Sequence, residues 1–252
     1  MSDQNPVSVS TGAAAGSSNF NLGGRSVSAG DGIAWIKRGW QLFVMNPGIW
    51  IAITIIMVVI LVVLGVIPII GQLATQFLMP VLTAGLLLGC KSLSDGEDLK
   101  IDHLFAGFKQ NIGSLVMVGV FYLIGIVVIM AITFFVGGGA ALTGAFMGRS
   151  AGAGMAFGGF MLAMLIMLAL MVPLMMAVYF APALVVFHNV APLEAMKASF
   201  FGCLKNIVPF LIYGIVLFVL GIVAVIPLGL GLLVLIPVMF GSVYASYVGI
   251  FE

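Results

Sequence analysis

Few side chains in this sequence could do chemistry. His103 follows Asp102, and an imidazole beside a carboxylate is the one polar pair that could serve acid–base chemistry at a membrane edge. Shortly before it stands Asp95-Gly96-Glu97-Asp98, three carboxylates that could hold a divalent cation. The same run fits a turn and a helix start better, because acids near a helix N-terminus complement its dipole. Met161, Met164, Met167, Met171, Met175 and Met176 recur at helical spacing, and such a thioether stripe could bind Cu(I). Equally, flexible Met side chains fill irregular space around a kink such as Pro173 would make. Cys90 and Cys203 lack ligand spacing and read as small apolar residues, not as a disulfide. His188 has no His or Cys partner at ligand spacing. No nucleophile triad, phosphate-binding loop or dinucleotide fingerprint is present. No catalytic, cofactor-binding or metal site is expected, and the chain does not read as an enzyme.

The elements that would position these residues are membrane helices. Hydrophobic residues make up 63% of the 252 and charged ones 7%, with a mean hydropathy of +1.30. A soluble domain carries roughly 25% charged residues, so lipid must solvate much of this chain. A net charge of +1 without a basic stripe excludes nucleic acid as a partner. Residues 1–30 are rich in Ser, Gly and Asn and lack an apolar signal region, which predicts a disordered polar tail before a single membrane domain over 31–252.

Of the long uncharged runs 39–90, 110–148 and 206–251, the first and last are each long enough for two spans of about 20 residues, and the middle region gives spans near 112–136 and 160–187, six in all. Turns are expected at Pro68 with Gly71 and at Pro227 with Gly229 and Gly231. Eight of the nine Lys and Arg residues fall on one side of this topology, Arg149 alone on the other, which places both termini in the cytoplasm. Residues 137–160 are so rich in glycine that a single rigid helix is not expected. They read as a flexible outer loop, or as a dipping hairpin packed through Gly144-x-x-x-Gly148 and Gly154-x-x-x-Gly158.

Three asparagines organise the chain. Ten, six and three residues before Asn46, Asn111 and Asn206 stand Ile36, Trp40 and Phe43; Ile101, Phe105 and Phe108; and Met196, Phe200 and Cys203. These offsets share one helical face, opposite a polar face with Lys37 and Arg38, Asp102 and Lys109, or Glu194 and Lys197. Such helices should lie in the membrane interface, with Trp35, Trp40, Phe43, Phe105, Phe108 and Phe200 as membrane-interface residues. After each Asn comes a proline followed four positions later by a small residue: Pro80 and Ala84, Pro173 and Ala177, Pro237 and Gly241. The chain thus reads as three units, about 31–94, 95–190 with the insertion 137–160, and 191–252, each an amphipathic helix plus a hairpin. Asp31 is expected to cap the first amphipathic helix. Gly85 with Gly89, and Ser242 with Ser246, are expected to let helices pack closely.

The segments GWQLFVMNP (39–47), FAGFKQN (105–111), SFFGCLKN (199–206) and YASYVGIF (244–251) resemble a family of uncharacterised proteobacterial inner-membrane proteins with six spans. The resemblance covers about residues 33–252, and it implies an all-α, multi-pass protein of the bacterial inner membrane without an agreed activity. No span contains an acid, a base or a histidine, which argues against a proton-coupled transporter. The leading expectation is a structural or scaffolding module that engages membrane lipid, other membrane proteins or itself through its interface helices. The alternative is a transporter or channel for a lipid-like or small neutral solute, lined by Thr, Ser and Tyr. A lipid-modifying enzyme would need a polar cluster such as His103 with Asp102.

Overall fold

A computed structural model describes residues 20–145 and 149–252. Nine α-helices and one 3-10 segment make up the described chain, and no strand occurs among the described residues. The helices are α1 (Asp31–Met45), α2 (Pro47–Val66), α3 (Ile70–Ser94), α4 (Ile112–Ala145), α5 (Arg149–Tyr179), α6 (Ala181–His188), α7 (Pro192–Lys205), α8 (Ile207–Val225) and α9 (Leu232–Phe251). The 3-10 segment is Ile101–Phe108. Six stretches are long and apolar enough to cross a membrane: α2, α3, most of α4, α5 together with α6, α8 and α9.

Asn46, Asn111 and Asn206 each stand immediately before a span, α2, α4 and α8. Pro80, Pro173 and Pro237 each lie inside the helix that returns from the hairpin tip. A proline inside a helix removes one backbone bond and crowds the preceding turn. Here it also marks where burial begins. Apart from Gly71, every buried residue of α3 lies from Pro80 onward, and in α9 all but Leu235 lie from Pro237 onward. On the outgoing helices the pattern is mirrored, with Trp50, Ile53, Thr54 and Met57 buried early in α2 and Pro209 and Tyr213 early in α8, where Ala224 is the exception near the tip. The protein core therefore sits in the half of the bundle that carries the charges. The hairpin tips are apolar and exposed, up to Leu228 at 97%. Surface of that kind at that width is lipid-facing.

Each amphipathic segment packs on a returning helix that is not part of its own hairpin. α1 lies against α9 and α8, the 3-10 segment against α3, and α7 against α5. At the tip of α2–α3, Ile69 holds φ 63° and ψ −62°, and the Ile70 N–H donates to the Pro68 carbonyl at 2.6 Å. This is a γ-turn of the strained hand, uncommon for a β-branched residue.

Three expectations change. Within the glycine-rich stretch 137–160 the described residues are helical instead of an extended flexible loop, since α4 runs on to Ala145 and α5 starts at Arg149. Lipid explains why. In hydrocarbon each unsatisfied backbone group costs several kcal/mol, more than the roughly 1 kcal/mol by which glycine disfavours a helix. Gly154 and Gly158 face open space and not a close-packed neighbour, while Gly148 lies outside the described residues. The polar tail does not extend to residue 30 as a disordered segment. Residues 1–19 lie outside the described residues, but Phe20–Gly30 form a strap across the ends of α7 and α9. The second amphipathic segment is a 3-10 helix of 8 residues instead of an α-helix. Its apolar residues suit three per turn, with Leu104 and Gly107 on the buried ridge and Phe105 and Phe108 on the exposed one.

Candidate membrane-interface site

α1 is anchored through small residues. A Cβ on Gly39 would strike the Val238 carbonyl and the Ser242 hydroxyl, so only glycine lets α1 cross α9 at this depth. The expected stripe of α1 divides between two environments. Trp35 and Phe43, expected at the membrane interface, are covered by protein. Trp35 packs on Phe210 and Tyr213 with ring centroids 5.0 and 6.0 Å away. Trp40 is 51% exposed and remains on the outer face. Helical periodicity identifies an apolar face, yet it does not say whether protein or lipid will cover it.

The other two segments differ again. In the 3-10 segment Phe105 and Phe108 are both exposed. In α7 Met196 and Cys203 are buried and Phe200 is half-buried, and the exposed aromatic is its neighbour Phe201. Burial pushes the Cys203 thiol up to about 12, which keeps it a neutral, unreactive side chain. Cys90 is likewise buried and unpaired.

Of the residues expected for helix packing, Gly85, Gly89 and Ser242 stand at close contacts with the amphipathic segments and their approach. A Cβ on Gly85 would meet the Leu104 carbonyl at 2.8 Å, and one on Gly89 would meet Leu99 at 2.8 Å, so both glycines seat the 3-10 segment and its approach. Ser242 lies under Gly39 of α1 and donates to the Val238 carbonyl at 2.7 Å; Ser246 donates to the Val243 carbonyl at 2.9 Å. Thr54, Thr75 and Thr133 also donate to carbonyls of their own helices. Hydroxyls so engaged do not present a polar path. Gln72 and Gln76 on α3 are polar residues within a span that the sequence reading overlooked, although their identity alone marks them.

Two buried polar side chains hold the charged half together. Asn206, 1% exposed, accepts the Val27 N–H at 2.8 Å and donates to the carbonyls of Arg25 and Gly202. Ser199 donates to the Met176 carbonyl at 2.6 Å and accepts the Phe180 N–H at 2.9 Å, bridging the break between α5 and α6. The strap closes the C-terminus of α9. Asn21 N–H, Arg25 N–H and Arg25 Nε donate to Phe251, Ile250 and Gly249, carbonyls that the helix end leaves unpaired. Lys205 Nζ donates back to Gly23 at 2.8 Å. Asp31, expected as the cap, sits in the first turn of α1 and accepts the Ser28 N–H and hydroxyl.

Several of the residues that could have done chemistry have structural partners. His103 Nδ1 accepts the Lys100 N–H at 3.0 Å, which leaves that nitrogen as part of a helix start. Lys91 pairs with Asp95 at 2.9 Å, and the Ser92 hydroxyl donates to Glu97 at 3.0 Å. Among the described residues no cluster of His, Cys, Asp and Glu has metal-binding geometry. Met161, Met164, Met167 and Met175 are exposed along the apolar side of α5, so they neither converge nor fill the bundle. His188 stacks on Phe20 with ring centroids 3.6 Å apart, and its Nε2 lies 3.5 Å from Glu252.

Two apolar cavities flank this half. One of about 650 Å³ is lined by Ile36, Lys37, Trp40 and Gln41 of α1 and by the tip-ward parts of α8 and α9. The other, about 380 Å³, lies between α5, α7 and α8.

Comparison with known proteins agrees with this architecture. A Burkholderia thailandensis protein described as a probable inner membrane protein is 27% identical over 232 residues, which span 88% of this chain and 83% of the relative. With six helices able to cross a bilayer, the likeness decides the broad class. The chain is a multi-pass inner-membrane protein. No family model matches the chain, and no solved structure matches it.

Proposed function

We propose that this protein is a non-catalytic module of three repeats that engages lipid or partner proteins through the charged half of its bundle. The observation that carries the reading is the exchange of amphipathic segments. α1 of the first unit packs on α9 of the third, the 3-10 segment of the second on α3 of the first, and α7 of the third on α5 of the second. Each unit covers the post-proline helix of the one before it, which ties three hairpins into one ring. The side that remains outward combines aromatic and basic residues: Trp40 with Lys37 and Arg38, Phe105 and Phe108 with Lys109, Phe201 with Lys197. That combination suits the headgroup layer of an anionic membrane. The charge bias assigns this side, and both termini, to the cytoplasm.

The alternative, a transporter or channel for a lipid-like or small neutral solute, calls for a path lined by Thr, Ser and Tyr. The apolar cavities contain no Thr or Ser and a single tyrosine, Tyr179, and five hydroxyls in the spans serve their own helices. An enzymatic role gains nothing from His103, whose Nδ1 is engaged by backbone.

An environment-sensitive fluorophore on Phe105→Cys or Phe201→Cys, with Cys90 and Cys203 buried, tests the reading in liposomes. Blue-shifted emission quenched by brominated phospholipid is expected at both sites. Water-like emission at both, with no quenching, would overturn the interface reading.

A further inference from the structure

Resting on that reading, the geometry points to a binding site for one anionic phospholipid in the cavity between α1, α8 and α9. The cavity is about 650 Å³, within the range of about 300–1,000 Å³ typical of ligand pockets. Its walls are apolar for most of their length: Leu220, Val223 and Ala224 from α8, Val234 and Leu235 from α9, and Ile36 from α1. Lys37, Trp40 and Gln41 stand together on the α1 side.

This pairing of chemistries selects the occupant. Lys37 is exposed, and neither ion pair found among the described residues includes it, since those join Lys91 to Asp95 and His188 to Glu252. An ammonium beside hydrocarbon requires a counter-ion or a route to water. Its long stem can carry the charge to the headgroup level while lying on apolar surface. There the phosphate of a lipid supplies the anion, Gln41 a neutral donor, and Trp40 a ring suited to that depth. A soluble anion would leave the apolar walls uncovered, and a neutral hydrocarbon would leave Lys37 unpaired. An anionic headgroup with an acyl chain satisfies both. The cavity between α5, α7 and α8 makes the contrast, because it is lined by Val172, Met175, Met176, Phe210 and other uncharged residues. It has no charge to distinguish one lipid from another.

The groove lies beside a glycine contact. α1 crosses α9 where Gly39 meets Gly241 and Ser242. Ile36, Lys37, Trp40 and Gln41, on either side of Gly39 in sequence, line the space together with the tip-ward parts of α8 and α9.

The test is native mass spectrometry of the full-length protein, equilibrated with equal amounts of phosphatidylglycerol and phosphatidylcholine. The wild type should retain phosphatidylglycerol preferentially. Lys37→Gln should reduce that preference about fivefold, whereas Lys91→Gln, at a lysine already paired with Asp95 and outside the groove, should leave it unchanged. Val223→Trp should fill the groove and lower retention of both lipids; Leu220→Trp is a second filling variant should the first fail to fold. Retention at the wild-type level in Lys37→Gln and in a folded filling variant would overturn the site. If the fluorophores at 105 and 201 still report lipid in that event, the groove assignment alone falls. If they report water, the wider interface reading falls with it.

Discussion

The charged half of the bundle and its hairpin tips are made of similar residues and held by different forces. In the charged half, glycines and serines let backbones meet, and Asn206 and Ser199 tie segments together that are distant in sequence. Towards the tips the helices touch mainly their own hairpin partners, and the residues between are bare apolar surface. Lipid gives apolar helices no hydrophobic reason to associate, so association needs close packing and hydrogen bonds. In the charged half such contacts join different hairpins, whereas at the tips, as where Gly71 meets Leu64 and Gly231 meets Ala224, they join a helix to its own hairpin partner. The lesson is that hydropathy alone separates neither half from the other.

The sharpest way to break that contrast is the same substitution in both halves. Gly39→Val meets the backbone of α9 and should destabilise the folded protein by about 3 kcal/mol. Gly221→Val in α8 meets open space and should change stability by less than about 0.5 kcal/mol. Equilibrium unfolding in mixed micelles, followed by circular dichroism, reads both. Equal effects would mean that the tips are packed after all.

A smaller effect is expected at Asn206→Leu, which removes bonds to Val27, Arg25 and Gly202 and strands buried backbone groups. The loss should be about 2 kcal/mol. Hydrogen exchange should rise over residues 20–30 and stay unchanged over the tip of α2–α3. Smallest, and opposite in sign, is Ile69→Gly at that tip. It relieves a left-handed φ and should stabilise by about 1 kcal/mol, seen as a higher unfolding midpoint.

Much of the topology was legible because its signals are local. Asn46, Asn111 and Asn206 mark the entries to three spans, and Pro80, Pro173 and Pro237 the returning helices, as their spacing indicated. What could not be read depends on distant partners. The strap Phe20–Gly30 is held in part by Asn206 and Lys205 and in part by backbone carbonyls of α9, and carbonyls carry no side-chain pattern. Trp35 and Trp40 lie on one short helix with similar surroundings in sequence, yet only Trp35 has Phe210 and Tyr213 over it. Gly85 and Gly89 were legible as a close-packing pair, but their partner is a 3-10 segment that begins after a polar turn. For the glycine-rich stretch, propensities measured in water misjudge a backbone that sits in or beside hydrocarbon.

The uneven lengths of the hairpins carry a mechanical consequence. α2 and α8, with 20 and 19 residues, run about 30 Å, the thickness of a hydrocarbon core. α4 has 34 residues and runs about 50 Å, so it exceeds that thickness by about 20 Å. Two hairpins therefore match the bilayer upright, while the third must tilt or stand proud of it. Thinning or thickening the membrane would act on them unequally, and hydrophobic mismatch would then be felt as torque on the middle hairpin, whose returning helix α5 grips α7.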